Sequence, residues 1–211
     1  TGIGTESLAL SGYAAAKDYS ATRYSDSLLL TSNVGTTAGN YSITYSQGGL
    51  TINKAPLTVT GVTATVTYNG SAQTNNAATV TGRLGSDSIV VAGYGSATNV
   101  GSYLDNLSVT SSAGSNYNIS YVNGSLVIGK APLTITGATT NVTYNSSAQT
   151  NSSATVTGRL GADTIAVTGY ASGTNAATYN DVLTTSSSVA SNYNITYVNG
   201  SLVIAPKTLT I

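Results

Sequence analysis

Few side chains in this sequence are equipped for chemistry, and those few recur in step. Arg83 and Asp87 stand four residues apart across a turn, and Arg159 and Asp163 repeat the arrangement. Such a pair could hold a sugar hydroxyl, or it could brace its own turn as a local ion pair. The second role is favoured, and at an exposed turn it contributes roughly 0–1 kcal/mol. Asp26, Asp105 and Asp181 each follow a tyrosine by two residues. A calcium site needs six to eight oxygens, usually from several carboxylates. No D-x-D-x-D-G loop is present, so a solvated or turn-capping carboxylate is expected instead. Lys54 and Lys130 could form an amide cross-link to an asparagine, which requires a buried lysine beside an acid. Each precedes Ala-Pro, where an exposed side chain is expected. Asn118-Ile119-Ser120 and Asn194-Ile195-Thr196 are glycosylation sequons of the kind that an Asn-, Ser- and Thr-rich chain produces by chance. The tyrosines could form a carbohydrate platform, but their alternation with polar residues points to core packing. Tyr13, Tyr94 and Tyr170, each beside glycine, fit that pattern least well. No catalytic, cofactor-binding or metal-ligating residue is assigned, no cofactor is implied, and no ligand-binding residue is named.

The elements that must carry these residues are set by composition and period. The chain has 211 residues, with seven basic and seven acidic side chains and a net charge of zero. That balance offers no field for nucleic acid and no polybasic membrane patch. Cys, Met, Trp, Phe and His are absent, so disulfides, thiolate chemistry and the commonest general base are excluded. Nucleophile–base and metal-ligand constellations are missing too, and an enzyme is not expected. No 18-residue apolar run exists to insert this segment into a membrane as a helix. Thr, Ser, Asn, Gly, Val and fifteen Tyr favour strands and turns.

Asn40, Asn116 and Asn192 lie 76 residues apart and open three versions of one stretch, fullest in NYNISYVNGSLVIGKAPLTITG (Asn116–Gly137). A fixed period of this length marks an array of like units. Within the stretch, Tyr117, Ile119 and Tyr121 alternate with polar residues, predicting a strand with one buried face. Asn123-Gly124 predicts a tight hairpin turn, with Ser125–Ile128 as the return strand. Pro132, without an N–H, is expected to break the ladder between units.

In chain order, residues 1–53 read as the back part of a unit. Ile3–Tyr13 matches Leu84–Tyr94, with small insertions around Lys17–Arg23 and Val34–Gly39. Nothing there corresponds to Lys54–Thr81, which predicts an open sheet edge unless a neighbouring chain or a further segment covers it, and permits strand exchange between chains. Residues 54–129 and 130–205 are full units, and 206–211 begin another. The chain is accordingly expected to be a window of something longer, an expectation that the intact mass of the natural protein tests. Seven short strands per unit predict all-β, Ig-like sandwich modules arranged end to end in an extended rod. β-grasp-like modules are the alternative, signalled by a helix near Gln73–Ala78. A unit of 76 residues buries only about 60% of its unfolded surface, so each is expected to lean on its neighbours. Five tyrosines per full unit supply much of the core.

The pattern K-A-P-L-T-V-T, Y-N-G, V-T-G-R-L-G-x-D and N-Y-N-I-x-Y-V-N-G-S-L-V-I resembles the MBG/YDG-type repeats of large bacterial surface and secreted adhesins, including filamentous-haemagglutinin-like exoproteins. Tyr68-Asn69-Gly70 occupies the place of the family's Tyr-Asp-Gly signature, whereas Tyr144-Asn145-Ser146 departs from it. The resemblance implies an extracellular stalk that projects a distal binding domain and has no catalytic residues. Its expected partners are neighbouring repeats, with identical chains in a fibre or a matrix polysaccharide beyond them.

Overall fold

The computed structural model describes residues 6–32 and 37–211. Parts of the two sequence features noted above, Ile3–Thr5 and Val34–Thr36, lie outside the described residues. The fold is all-β, built from small sheets. The only helical segments among the described residues are three short 3₁₀ turns: Ala38–Asn40, Ser112–Asn116 and Ser188–Asn192. Gln73–Thr74, where a helix would have favoured a β-grasp, is a strand paired with Ser96–Ala97.

The repeat 130–205 shows the plan. Its front sheet has the order Ala154–Thr157, Ala131–Gly137, Tyr193–Val198. Its back sheet has the order Thr139–Thr143, Ser201–Ala205, Thr178–Asn180. Two long strand paths link the sheets, because the chain passes from Ala131–Gly137 through Ala138 into Thr139–Thr143, and from Tyr193–Val198 through Asn199-Gly200 into Ser201–Ala205. These paths run parallel throughout, Ala131 opposite Tyr193 and Thr139 opposite Ser201. Pro132 does not break the ladder. It sits opposite Asn194 with its exposed ring outward, while Leu133 and Ile135 alternate inward at 1% and 0% exposure. A proline suits a strand wherever its missing N–H is not required.

The predicted hairpin at Asn123-Gly124 does not form. Tyr117–Val122 and Ser125–Gly129 do not pair with each other; each joins a different sheet alongside Ala55–Gly61 or Thr63–Thr67. Neither glycine of the repeated Asn-Gly step has a positive φ. Glycine is required there for close approach instead: a Cβ on Gly200 would lie 2.1 Å from the Ala138 carbonyl oxygen, and one on Gly124 would lie 2.4 Å from that of Val62. The asparagine is engaged as well, since Asn199 Oδ1 accepts the Leu183 N–H (3.1 Å) and Asn123 Oδ1 that of Leu107 (3.2 Å). A step between sheets replaces the turn.

The chain divides into two compact units that do not follow the sequence repeat. The first gathers residues up to Val59 with Val80–Ala92 and Ser108–Val122; the second gathers Thr60–Thr79, Gly93–Leu107 and Asn123–Ile211. In the first unit Leu8–Ser11 pairs with Leu29–Ser32, Tyr24–Ser25 with Gly49–Leu50, and Val91–Ala92 with Ser108–Val109. Leu57, Val59 and Tyr117 are its most buried side chains.

The core of the second unit straddles the boundary between repeats. Tyr68, Leu126 and Ile128, from the back sheet of repeat 54–129, cluster with Ala131, Leu133, Ile135 and Tyr193 from the front sheet of repeat 130–205. Leu126 and Ile128 are 0% and 1% exposed. Burying such side chains is worth about 1.5–3 kcal/mol each, so the two repeats stabilise a single core.

Candidate functional site

The polar side chains that recur with the period make two kinds of site. One lies within a repeat. Asp181 sits at the step between sheets, 1% exposed. Its Oδ1 accepts the Ala171 N–H (2.7 Å) and its Oδ2 the Gly200 N–H (3.1 Å). The Asn151 amide donates to both oxygens, at 3.0 and 2.8 Å, and to the Ala138 carbonyl at 2.8 Å. Asp105 repeats this buckle with Gly95, Gly124 and Asn75. Asp26 repeats its backbone part with Ala14 and Gly48. The carboxylates predicted to be solvated or turn-capping are therefore saturated clasps, and in the two full repeats they are buried. A buried carboxylate persists when several donors replace its water. The donors are N–H groups, which suit an anion and would repel Ca²⁺. Among the described residues no cluster of acidic side chains could hold a metal ion. Asn75 and Asn151 drew no notice in the sequence; their recurrence in SAQTN was the available signal.

The other kind of site joins consecutive repeats. Asp163 does not pair with Arg159. Its Oδ2 accepts two tyrosine hydroxyls, Tyr68 from the preceding repeat (2.8 Å) and Tyr193 from its own (2.6 Å). The two rings meet edge to face, 5.4 Å apart at 80°. The Tyr193 hydroxyl also accepts the Leu160 N–H at 3.0 Å. Burial pushes the Tyr193 phenol up to about 12, and its hydrogen bond to the Asp163 carboxylate adds to the rise. Tyr68 is raised by the same causes in the same order. Both phenols stay neutral and act as donors. Beside them Asn192, 3% exposed, accepts the Val100 N–H (2.9 Å) and donates to Asn99 Oδ1 (3.0 Å), a second tie between repeats.

The first unit carries the same parts with one missing. Asn116 accepts the Tyr19 N–H and donates to Asp18, at 2.8 and 2.7 Å. Asp87 accepts the Tyr117 hydroxyl (2.7 Å), which in turn accepts the Leu84 N–H (2.9 Å). No second tyrosine reaches Asp87 among the described residues. In its place is a cavity of about 300 Å³ whose lining includes Ile52, Ala55, Leu84, Asp87, Asn116 and Tyr117.

The remaining candidates are structural. Lys54 and Lys130 are exposed, the Lys54 ammonium lying 4.8 Å from the centre of the Tyr19 ring, so neither has the burial that an amide cross-link needs. Asn118 and Asn194 occupy exposed strand positions. Tyrosines divide by position: Tyr68, Tyr117 and Tyr193 are buried, Tyr94 and Tyr170 half-buried, and Tyr13, Tyr121 and Tyr197 exposed. No helix among the described residues is long and apolar enough to cross a membrane. No family model, no curated protein and no solved structure matches this chain.

Proposed function

We infer that this chain is a structural segment, a stalk or fibre portion of a bacterial cell-surface or secreted adhesin that holds a distal binding domain away from its anchor. The observation that carries this reading is the core shared by Tyr68, Leu126, Ile128, Leu133, Ile135 and Tyr193. A repeat whose hydrophobic face is completed by the next repeat gains stability through being in line. The periodic polar residues serve the same end, since Asp163 and Asn192 each hydrogen-bond to the preceding repeat. The extracellular, adhesive setting rests on the resemblance of the repeat motifs. A matrix polysaccharide or identical chains remain the partners of this reading, and it assigns no catalysis.

The competing reading makes each repeat a glycan- or protein-binding module. It calls for a groove lined by Tyr and Asn in every repeat. The cavity beside Asp87 has such a lining, but the corresponding place beside Asp163 is filled by Tyr68. A shallow depression of about 280 Å³ beside Asn192 has a counterpart of about 350 Å³ beside Asn116. Serines and asparagines dominate the first, and neither contains a tyrosine. These contrasts favour the stalk.

Electron micrographs of chains carrying increasing numbers of the 130–205 repeat test the proposal. Particle length should grow by roughly 33 Å per repeat, the advance of about ten extended residues. Particles that thicken without lengthening, or saturable glycan binding that scales with repeat number, would overturn it.

A further inference from the structure

Asparagine followed by glycine is a step at which a chain can attack itself, because glycine has no Cβ to shield its nitrogen from the preceding side chain. The step occurs three times here, at Asn69-Gly70, Asn123-Gly124 and Asn199-Gly200. Attack requires a glycine N–H that can give up its proton and an asparagine Cγ free to reach the nitrogen. All three asparagines are exposed, so exposure does not separate them.

Hydrogen bonding does. Gly124 and Gly200 are buried, and their N–H groups are committed to Asp105 and Asp181, each at 3.1 Å. Their asparagines accept the Leu107 and Leu183 N–H groups. Both glycines also press against a crossing backbone, at Val62 and Ala138. Ring closure at either step would first have to open the buckle. Gly70 differs on each count. It is half-buried, and its N–H has no partner among the described residues. Asn69 Oδ1 accepts the Ser71 N–H at 2.9 Å. That bond spans Gly70, so it folds the Asn69 side chain back along the chain towards the Gly70 nitrogen. It also draws electrons from the Cγ that the nitrogen would attack. These features hold with the following repeat in place: a Cβ on Gly70 would lie 3.1 Å from Gly161 N, and the adjacent Tyr68 hydroxyl is on Asp163.

We propose that Asn69-Gly70 is a self-modifying step whose conversion loosens the junction between repeats 54–129 and 130–205. The Gly70 nitrogen loses its proton to water or hydroxide and bonds to Asn69 Cγ. The Cγ–Nδ2 bond breaks, and the amide nitrogen takes up a proton and leaves as ammonia. Water then opens the cyclic imide, at Cγ to give aspartate or at the backbone carbonyl to give isoaspartate. No oxidant and no enzyme is needed. Either product places a new carboxylate beside Tyr68, whose hydroxyl already donates to the Asp163 carboxylate. Isoaspartate also adds a methylene to the main chain next to Gly161, where even a Cβ is crowded. The reaction is independent of the stalk reading, because it requires only the turn and the repeat that follows it.

Prolonged incubation of the whole chain in mildly alkaline buffer tests it. Trypsin separates the three steps, since cuts after Lys54, Arg83, Lys130, Arg159 and Lys207 place them in peptides 55–83, 84–130 and 160–207. Tandem mass spectrometry then reads amide-to-acid conversion at each asparagine. Asn69 should convert at least about tenfold faster than Asn123 or Asn199, the factor for opening an N–H bond to a charged group. In guanidinium chloride, where no buckle protects them, the three should convert at similar rates. Gly70→Ser should slow conversion of Asn69, because the added Cβ crowds the attacking nitrogen. The urea midpoint of the wild type should fall as Asn69 converts, while aged and fresh Gly70→Ser should match each other. Equal rates at the three steps in the folded chain overturn the proposal. So does an Asn69 that stays intact in the folded chain while the unfolded chain converts. A urea midpoint that ignores the converted fraction overturns the loosening of the junction.

Discussion

Tyr68 and Tyr144 follow strands of nearly the same sequence, yet one is 3% exposed with its hydroxyl on a carboxylate, whereas the other is half-exposed, its ring against Leu202 and Ile204 and its hydroxyl without a partner among the described residues. The buckles of the same two repeats show no such divergence: Asp105 and Asp181 are 3% and 1% exposed and hold equivalent donors. Contacts inside a repeat are therefore complete in each full copy. Contacts between repeats are complete only where a following repeat supplies the other half. A residue's environment in this molecule depends on which of the two classes it belongs to.

Substitutions can break or sharpen that distinction. The largest effect belongs to Ile135→Ala, which empties part of the shared core and should cost about 2–5 kcal/mol. Urea denaturation should show repeats 54–129 and 130–205 losing stability together. Asp105→Ala and Asp181→Ala should each cost about 3 kcal/mol, because each strands two backbone N–H groups and a buried amide. Near-equal costs would confirm that the buckle ignores its neighbours; a large difference would remove the distinction. Tyr68→Phe should cost about 1–2 kcal/mol and Tyr144→Phe less than about 0.5. The tyrosine junction also predicts an alkaline transition. The Tyr193 phenol is pushed up to about 12 from an ordinary value of 10.0. The folded state thus holds this proton more tightly than the unfolded state, and the associated stability is intact below about pH 10. It is lost as pH rises towards about 12, and the urea midpoint should fall over that window in the wild type and less steeply in Tyr193→Phe. Further small effects lie at the turn after each tyrosine. Gly70 has φ of 78°, and a Cβ there would meet Gly161 N at 3.1 Å; Ser146 holds the corresponding place at φ of 63°. Gly70→Ser should cost about 1 kcal/mol, whereas Ser146→Gly should gain a few tenths, roughly the strain relieved less the entropy added. Both are read as shifts in thermal midpoint.

Much of this was legible in the sequence. The 76-residue period, the alternation of Leu133 and Ile135, and the demand of Tyr68 and Tyr193 for burial with a hydroxyl partner are all local or periodic signals. The partners were not legible. Asp163 is four residues from Arg159, but it bonds tyrosines 95 and 30 residues away. Asn123-Gly124 carries the signature of a hairpin, yet the same dipeptide also suits a side-chain acceptor followed by a backbone crossing without Cβ. Sequence spacing cannot separate these uses, because the deciding neighbour, Val62, is remote in the chain. The parallel pairing of strands 62 residues apart is hidden for the same reason.

That parallel pairing has a mechanical consequence. Tension along the backbone enters the repeat 130–205 at Ala131 and leaves at Ala205, pulling the two paired paths in opposite directions along their length. The ladder bonds lie across the load and resist it collectively, in shear, where a hairpin would unzip one rung at a time.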